Sequence, residues 1–581
     1  MRSQLIRALI AVIIASPLLC GANLTLTRRG TGTITGHSAA TESGYEIQQG
    51  PEVDAHFIRG GSGSNSEAHV PSAFVPRPEA SPIVPHGSNF SGFLGITHRD
   101  QRLASGGNQF STEPPDQGLA VGNGFVVEAV NLAISVYSTA GVPYGITGLN
   151  NFLGLPVSIN RAANPPVYGP FTSDPRLYYD APTGHWFLTL LEIDTNPATG
   201  DLLDHSAVYV AVSRTSAPTG TWDIYSFDTT DSTNPGCPCF GDQPLIGADA
   251  NGFYISTNEF PIAGDGFNGA QIYALSKSGL ESGSLPPVVH LAGGALAEGI
   301  SYSVQPASTP PGGVFETANS GTEYFMSALE FTGGLDNRIA VWALTNTASL
   351  NTASPALTLS KVIVTSQVYG LPPASQQKPG PLPLADLLKQ KNNPLGVTSN
   401  EHLELIDSDD DRMQQTVFAA GSLWTSLGTV VKTPNGPTRA AAAWFIVTPS
   451  WVGGTLTAAV ARQGYVAANQ ENVTYPSIGV NAAGKGVMTF TLVGPDYYPS
   501  AAYATIDING TGPIQIAAAG AAPDDGFTGY GAFGGRVARW GDYTAAVADA
   551  DGSIWMAAEF IPDRPRTVLA NWGTFVSKVA P

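Results

Sequence analysis

Charged side chains are scarce in this sequence. They make up 13% of its 581 residues, whereas about 25% is usual in soluble domains. This scarcity excludes coiled coils and long solvent-exposed helices, which depend on charged surface positions. The 27 Lys and Arg residues are outnumbered by 46 Asp and Glu residues, and the net charge is −19. Because such a surface repels phosphate backbones, we expect no nucleic-acid partner.

Cysteines and long apolar runs are also few. The sequence has 3 Cys residues, too few for a disulfide framework or for a second Cys pair at a zinc site. Cys237 and Cys239 flank one proline, and we interpret them as a local loop staple or as two idle thiols. No run beyond the N-terminus reaches the ~18 apolar residues of a membrane-spanning helix, so we expect no membrane span.

The first 22 residues have the pattern of a signal peptide. Arg2 and Arg7 precede or border a short apolar run, and small residues stand at Cys20 and Ala22. This pattern predicts cleavage after Ala22. We therefore expect a secreted or periplasmic protein.

Turn-forming residues are abundant. Gly and Pro supply 66 and 45 of the 581 residues, more than average usage but less than the roughly 25% at which disorder becomes typical. Residues 23–88 are rich in Gly, Ser, Thr and Pro without periodicity, which predicts a flexible leader. Residues 89–581 show short alternating apolar runs between turns, which predict an all-β fold. A Pro-rich insertion with a short helix occupies residues 371–394.

Seven segments of the all-β region share one pattern. A polar residue opens a short apolar strand, a Gly, Asn or Asp turn follows, and a second, aromatic-rich strand comes next. The segments begin at Asp116, Asp174, Asp242, Ser301, Asp411, Tyr475 and Asp542. Third and fourth strands follow in most copies. Repeated four-stranded units predict a β-propeller of seven blades, and the irregular fourth copy leaves six or eight open.

The last copy ends in its third strand, and this ending indicates how the ring closes. We expect its fourth strand to come from Phe90–Thr97 at the N-terminal side. A ring closed by strands from both ends hides its sheet edges.

Four phrases carry a family resemblance: DPRLYYDAPTGHWF, GDQPLIGADANGFYISTNEF, NVTYPSIGVN and RWGDYTAAVADADGSIWMAAEF. They resemble secreted bacterial β-propeller proteins of the sialidase-like repeat type, over roughly residues 90–581. The resemblance implies a propeller and export. The sialidase-type Asp-box reads Ser-x-Asp-x-Gly-x-Thr-Trp, and Ser216–Trp222 is only a partial echo of it, without the Asp.

Three copies carry an Asp before the first strand and a Glu at the end of the second. The pairs are Asp174 with Glu192, Asp242 with Glu259, and Asp542 with Glu559. In a hairpin, residues equidistant from the turn face each other. Because first strands line the channel of a propeller, we expect these six carboxylates at one mouth of the channel.

These carboxylates support several hypotheses. Our first hypothesis is a non-catalytic propeller that binds an extracellular glycan or protein at the mouth loops. The alternative is a glycoside hydrolase, sialidase-like enzyme or polysaccharide lyase that uses the carboxylates for catalysis. Converging carboxylates also bind Ca²⁺. Because the Asp positions recur, we expect Asp to be structural and the more variable Glu to lie nearer to a ligand.

Further candidates lie outside the pairs. Arg176 and Arg412 open two first strands and could hold a ligand carboxylate. Tyr497 and Tyr498 lie in a loop and could stack on a sugar, or pack within the turn. The alternating carboxylates Asp407, Asp409 and Asp411 are a candidate Ca²⁺ loop or an acidic surface loop.

Overall fold

The computed structural model describes residues 18–19, 23–36, 74–293, 296, 299–329, 334–434 and 436–581. Strands dominate these residues, as the composition predicts. The described helices are His98–Gly107, Leu149–Leu153, Lys277–Glu281 and Pro383–Leu388, with 3-10 turns at Thr347–Asn351, Phe527–Gly529 and Gly531–Phe533. No helix among the described residues is long and apolar enough to cross a membrane.

Besides two two-stranded ladders, the described strands form sheets of 14, six, five, four and four strands. Antiparallel pairing divides most of these strands into runs of four, which we call units 1 to 7 in chain order. Unit 1 contains Gly118–Gly122, Phe125–Val130, Ala133–Ser138 and Pro143–Gly148. Unit 2 contains Phe171–Asp180, His185–Thr195, Leu202–Ser213 and Thr221–Asp228. Unit 3 contains Cys239–Ala248, Gly252–Pro261, Gly269–Ser276 and Val288–Ala292. Unit 4 contains Gln305–Ser308, Thr322–Ser327, Leu335–Thr345 and Thr358–Gly370.

The remaining units follow in chain order. Unit 5 contains Met413–Ala419, Ser422–Lys432, Thr438–Val452 and Thr455–Val466. Unit 6 contains Asn472–Val480, Gly486–Val493, Ser500–Asp507 and Ile514–Ala518, with Gly510–Thr511 beside its third strand. Unit 7 contains Ala545–Ala548, Ile554–Phe560, Gly573–Val579 and Phe90–Thr97. Two short ladders pair Ile159–Asn160 with Val167–Tyr168, and Ser375–Gln376 with Leu405–Ile406.

The first strands touch in sequence. Each first strand contacts that of the next unit, and the first strand of unit 7 contacts that of unit 1. Apolar layers fill the spaces between neighbouring units. Trp186 and Trp222 pack between units 1 and 2, and Trp555 packs between units 7 and 1. These large rings bury the apolar faces of both sheets, as expected from their positions on strands.

The strand from the N-terminal side completes unit 7. Phe90–Thr97 pairs antiparallel with Gly573–Val579, which confirms the predicted pairing. Glu128 of unit 1 joins this pair, because its Oε2 accepts a hydrogen bond from the Ile96 amide at 3.1 Å. Its Oε1 accepts a hydrogen bond from the Thr574 hydroxyl. One buried carboxylate therefore links both chain ends to unit 1.

The predicted leader is partly built into the sheets. Thr27–Thr33 adds a fifth strand to unit 2, and Asn23–Leu24 pairs with unit 3. Ile83–Pro85 runs parallel to the last strand of unit 6. The prediction of a flexible leader is wrong for these segments, because they satisfy the unpaired backbone groups of outer strands. Residues 37–73 lie outside the described residues.

The N-terminal signal-peptide prediction lies almost wholly outside the described residues. Only Leu18–Leu19 is described there, as a two-residue strand beside Thr358–Leu359. Cleavage after Ala22 therefore stays a prediction.

The insertion 371–394 covers one end of the ring. Its helix Pro383–Leu388 buries Leu384 and Leu388 in one apolar cluster with Trp540 and Trp572. Asp525 fixes this helix, because its Oδ2 accepts a hydrogen bond from the Leu384 amide at 2.6 Å. Because Trp540 directly precedes the first strand of unit 7, the insertion lies at the end where first strands begin.

Candidate functional site

Four aspartates meet at the end of the ring where first strands begin. Asp116, Asp174, Asp242 and Asp542 line one pocket of about 30 Å³. One carboxylate oxygen from each of Asp116, Asp174 and Asp542 lies within 4.8 Å of the other two. The structure thus brings the three predicted aspartates together and adds Asp116. We call these four residues the mouth cluster.

An irregular backbone positions these side chains. Asp116 and Asp174 have φ values of 49° and 57°, in the left-handed region that Asp tolerates better than most residues. At Asp174 the pairing register shifts between Ser173 and Arg176, as in a β-bulge. Bulges redirect a side chain and interrupt regular pairing. The first strand therefore turns its opening Asp toward the mouth.

Asn131 ties the first two units together at the mouth. Its Nδ2 donates to Asp116 Oδ2 at 2.7 Å and to the Pro114 carbonyl at 2.9 Å. Its Oδ1 accepts from the Asp174 amide at 3.0 Å and from the Ser173 hydroxyl at 3.1 Å. All polar groups of this buried amide are engaged, so Asn131 has a structural role.

The other contacts of the mouth cluster are also internal. The Asp542 amide donates to Asp116 Oδ1 at 2.8 Å, and the Tyr543 hydroxyl donates to Asp174 Oδ1 at 3.0 Å. Arg539 forms an ion pair with Asp542 at 3.1 Å. Asn131 was visible in the sequence as the residue of the first copy at the position of the second-strand Glu. Arg539 and Tyr543 were missed, because they follow no repeat. Asp116 was visible as the first residue of the first copy.

Burial perturbs the acids of the mouth cluster. Burial, and then the charges of Asp542 and Asp174, raise the pKa of Asp116. Burial, and then Asp242 and Asp542, raise the pKa of Asp174. The pKa of Asp242 is raised to about 6 by burial and by Asp542. Like charges confined in one small pocket disfavour simultaneous ionisation.

Arg176 lies below the mouth cluster. Its guanidinium carbon is 3.3 Å from the centroid of the Tyr543 ring, a cation–π contact. Arg176 also lines the central channel, a cavity of about 90 Å³ formed by first strands of several units. The predicted ligand-binding residue therefore reaches the channel interior.

Two of the three predicted glutamates lie away from the pocket. Glu192 lies beside Asp194 and His205 on unit 2. Glu259 Oε1 accepts from Asn234 Nδ2 at 2.8 Å. Glu559 lies nearer the mouth, where it accepts from the Gly541 amide at 2.8 Å. The expected gathering of six carboxylates at the mouth is therefore wrong for Glu192 and Glu259.

The bulge and the strand order explain this difference. Glu192 pairs with Thr172, whereas Asp174 lies within the bulge, between Ser173 and Arg176, and has no partner in the register. The second strand also lies about 4.8 Å farther from the channel than the first. Equal sequence distance from the turn therefore did not predict that Glu192 lies outside the pocket that Asp174 lines.

Arg412 forms ion pairs with the acidic loop before unit 5, residues 407–411. Arg412 is 3% exposed and pairs with Asp410 at 2.8 Å and with Asp409 at 3.1 Å. Its Nη1 donates to Gln243 at 2.7 Å. These contacts turn Arg412 inward. Asp409 is therefore engaged by a guanidinium within the loop, and Ca²⁺ binding by Asp407, Asp409 and Asp411 stays a prediction.

The tyrosine pair packs locally. Tyr497 packs against the apolar layer between units 5 and 6. The Tyr498 hydroxyl donates to the Pro379 carbonyl at 3.2 Å, and Lys378 lies over its ring. Tyr498 therefore fastens the insertion, in line with the turn-packing interpretation.

Cys237 and Cys239 form a disulfide, which supports the loop-staple interpretation over two idle thiols. The bridge lies near Asn268, whose Nδ2 is 3.3 Å from Cys239 Sγ. It connects to no residue of the mouth cluster.

No family model matches the chain, and no curated protein matches it. Among solved structures, it is similar to a protein of unknown function from Dyadobacter fermentans, with 11% identity over 71% of this chain and 95% of that chain and a TM-score of 0.32. It is similar to Trypanosoma rangeli sialidase in complex with sialic acid, with 10% identity over 80% of this chain and 53% of that chain and a TM-score of 0.32.

A third similar structure is the GH43 endo-arabinanase from Bacillus licheniformis. It shares 14% identity over 59% of this chain and 96% of that chain, with a TM-score of 0.20. At such identities and TM-scores, neither activity nor substrate is transferred to this chain.

Proposed function

We propose that the chain is an exported seven-bladed β-propeller that binds an extracellular glycan or protein and does not hydrolyse it. The seven units, the circular order of contacts between first strands and the shared strands of unit 7 support the propeller. The signal-peptide pattern supports export.

The small volume of the mouth pocket is the main observation in favour of binding without hydrolysis. A volume of about 30 Å³ holds a water-sized group and is too small for a sugar ring. Carboxylate oxygens of Asp116, Asp174 and Asp542, one from each residue, lie within 4.8 Å of one another, whereas the two carboxyl groups of glycoside hydrolases lie about 5 to 9.5 Å apart. The mouth cluster therefore lacks both the space and the spacing of a hydrolase.

We assign the mouth cluster to Ca²⁺. Asp116, Asp174 and Asp542 offer oxygen atoms within 4.8 Å of one another, and Ca²⁺ prefers oxygen ligands. Calorimetry with CaCl₂ tests this role, and we expect binding that Asp174→Asn removes. Asp563→Asn, at an exposed loop position, is the matched control. Unchanged Ca²⁺ binding by Asp174→Asn contradicts the assignment.

Ligand binding then belongs to the outer face of the insertion 371–394. Lys389 and Lys391 are both exposed on this face. A glycan array and a panel of soluble polysaccharides test the purified protein for binding and for reducing-end release. We expect binding without release, weakened by Lys389→Glu with Lys391→Glu. Lys485→Glu, at a turn on the opposite end of unit 6, is the control. Release of reducing ends contradicts the proposal.

A further inference from the structure

Three potential metal ligands lie together on unit 2, away from the mouth. Glu192 and Asp194 are two residues apart on the strand His185–Thr195, so their side chains share a face. His205 lies on the neighbouring strand Leu202–Ser213. One donor atom from each residue lies within 4.8 Å of the other two. His205 Nδ1 is 3.1 Å from Asp194 Oδ2.

The burial of Glu192 is an independent sign of a ligand. Glu192 is 3% exposed, and its Oε1 has no hydrogen-bond partner among the described residues. A buried carboxylate oxygen without a partner is costly. A bound cation is one established way to satisfy such an atom. The other two members of the cluster are the carboxylate of Asp194 and the imidazole of His205, which would bind the same cation.

The donor types select the class of ion. Zn²⁺ takes imidazole nitrogen and carboxylate oxygen at about 2.0–2.2 Å, whereas Ca²⁺ takes oxygen alone. Ligands of one tetrahedral Zn²⁺ lie roughly 3.4 Å apart at such bond lengths, close to the 3.1 Å between His205 Nδ1 and Asp194. The three donors therefore suit a transition-metal ion.

The surroundings of His205 fit the same role. Asp228 Oδ1 lies 4.0 Å from His205 Nε2, on the side opposite Asp194. This distance exceeds that of a hydrogen bond, so Asp228 places a negative charge beside the ring without the hydrogen bond that metal-bound histidines usually donate to a carboxylate. A surface cavity of about 370 Å³, lined by His205, Asp228 and Arg29 among others, adjoins the cluster. An ion here would keep a coordination position open to this cavity.

We propose that Glu192, Asp194 and His205 bind a divalent transition-metal ion, with Zn²⁺ as the ion that best fits the donors. The site is separate from the mouth cluster and does not depend on the proposed function.

Isothermal titration of the full chain with ZnCl₂, after removal of metal with EDTA, tests the site. We expect one Zn²⁺ per chain at this site and a loss of affinity of at least about tenfold in Glu192→Gln and in His205→Ala, because each removes one ligand. Asp204→Asn is the matched control, because it neutralises an exposed carboxylate next to His205 outside the cluster. Asp174→Asn should keep this Zn²⁺.

Failure of the wild-type chain to bind Zn²⁺ overturns the proposal, as does equal Zn²⁺ affinity in all four variants. Thermal melts without metal check that the variants fold. His205 is 42% exposed, so His205→Ala keeps the test decisive if Glu192→Gln does not fold. As a second measurement, the absorption spectrum of the Co²⁺-loaded chain should change in His205→Ala. An unchanged spectrum also overturns the proposal.

Discussion

Backbone and side chain have separate tasks at Asp174. Its amide donates to Asn131 and its carboxylate accepts from Tyr543, while a φ of 57° holds the residue in the bulge. At Asp116, which also has a positive φ, Asn131 and the Asp542 amide engage both carboxylate oxygens. Single residues at the mouth therefore join neighbouring units, and their loss should be measurable as a loss of stability.

Asn131→Ala should lower the free energy of unfolding by about 1–3 kcal/mol, because it leaves the Asp174 amide and one Asp116 oxygen without their partner. Urea unfolding monitored by tryptophan fluorescence measures this change. Asn400→Ala, at an exposed position, should leave the midpoint unchanged. Equal midpoints for Asn131→Ala and the wild type would show that the amide does not hold the mouth together.

Short outer strands extend several units. Thr27–Thr33 covers the last strand of unit 2, where Arg28 pairs with Asp223. Without this segment, the strand Thr221–Asp228 would expose unpaired backbone groups, which favour association with other chains. The leader therefore contributes a complete strand to the sheet of unit 2.

Replacing residues 27–33 by a Gly-Ser segment of equal length should lower the melting temperature and promote oligomers. The reason is the loss of a strand from the outer edge of unit 2. Light scattering after size exclusion and thermal melts measure both effects. Thr31→Val preserves strand propensity and should behave like the wild type. A monomeric replacement variant with an unchanged melt would refute a structural role for this strand.

The repeat pattern predicted elements better than side-chain positions. Alternating apolar residues and turns were enough to predict the strand pairs of each unit and the strand Phe90–Thr97, because strand formation follows local periodicity. The placement of Glu192 depends on a register shift at Asp174, which no periodicity reveals. The pairing of Thr27–Thr33 was missed because its Gly and Thr content resembles a linker. Arg539 and Tyr543 reach the mouth through loop conformation, which sequence spacing does not encode.

Unit 7 depends on the pairing of Phe90–Thr97 with the C-terminal strand Gly573–Val579. Phe90–Thr97 pairs only with Gly573–Val579 among the described strands, so the C-terminal strand is its one described partner in the sheet. Deleting residues 574–581 removes most of that partner strand and opens two sheet edges. We expect this deletion to lower the melting temperature strongly, whereas removal of Pro581 alone should have little effect. An unchanged melt after the longer deletion would contradict closure by these strands.

Glu128 makes the stability of this closure depend on pH. Burial raises its pKa to about 7, although hydrogen bonds from Thr574, Ile96 and Tyr137 partly oppose the shift. An acid with a higher pKa in the folded than in the unfolded chain binds more protons when folded, so stability falls as pH rises. The free energy of unfolding therefore falls between pH 4.5, the ordinary pKa of Glu, and about pH 7. Above that range, Glu128 lowers the free energy of unfolding by up to about 3 kcal/mol.

Glu128→Gln should remove this part of the pH dependence. A neutral amide keeps an acceptor for the Ile96 amide and gives a donor to the Thr574 hydroxyl, which itself donates to the Ile96 carbonyl. Urea unfolding of both proteins at pH 5 and pH 8 measures the difference. The variant should match the wild type near pH 5 and exceed its stability at pH 8, because only the wild type then carries a buried charge. If the two proteins lose equal stability between these pH values, Glu128 is not the group that couples ring closure to pH.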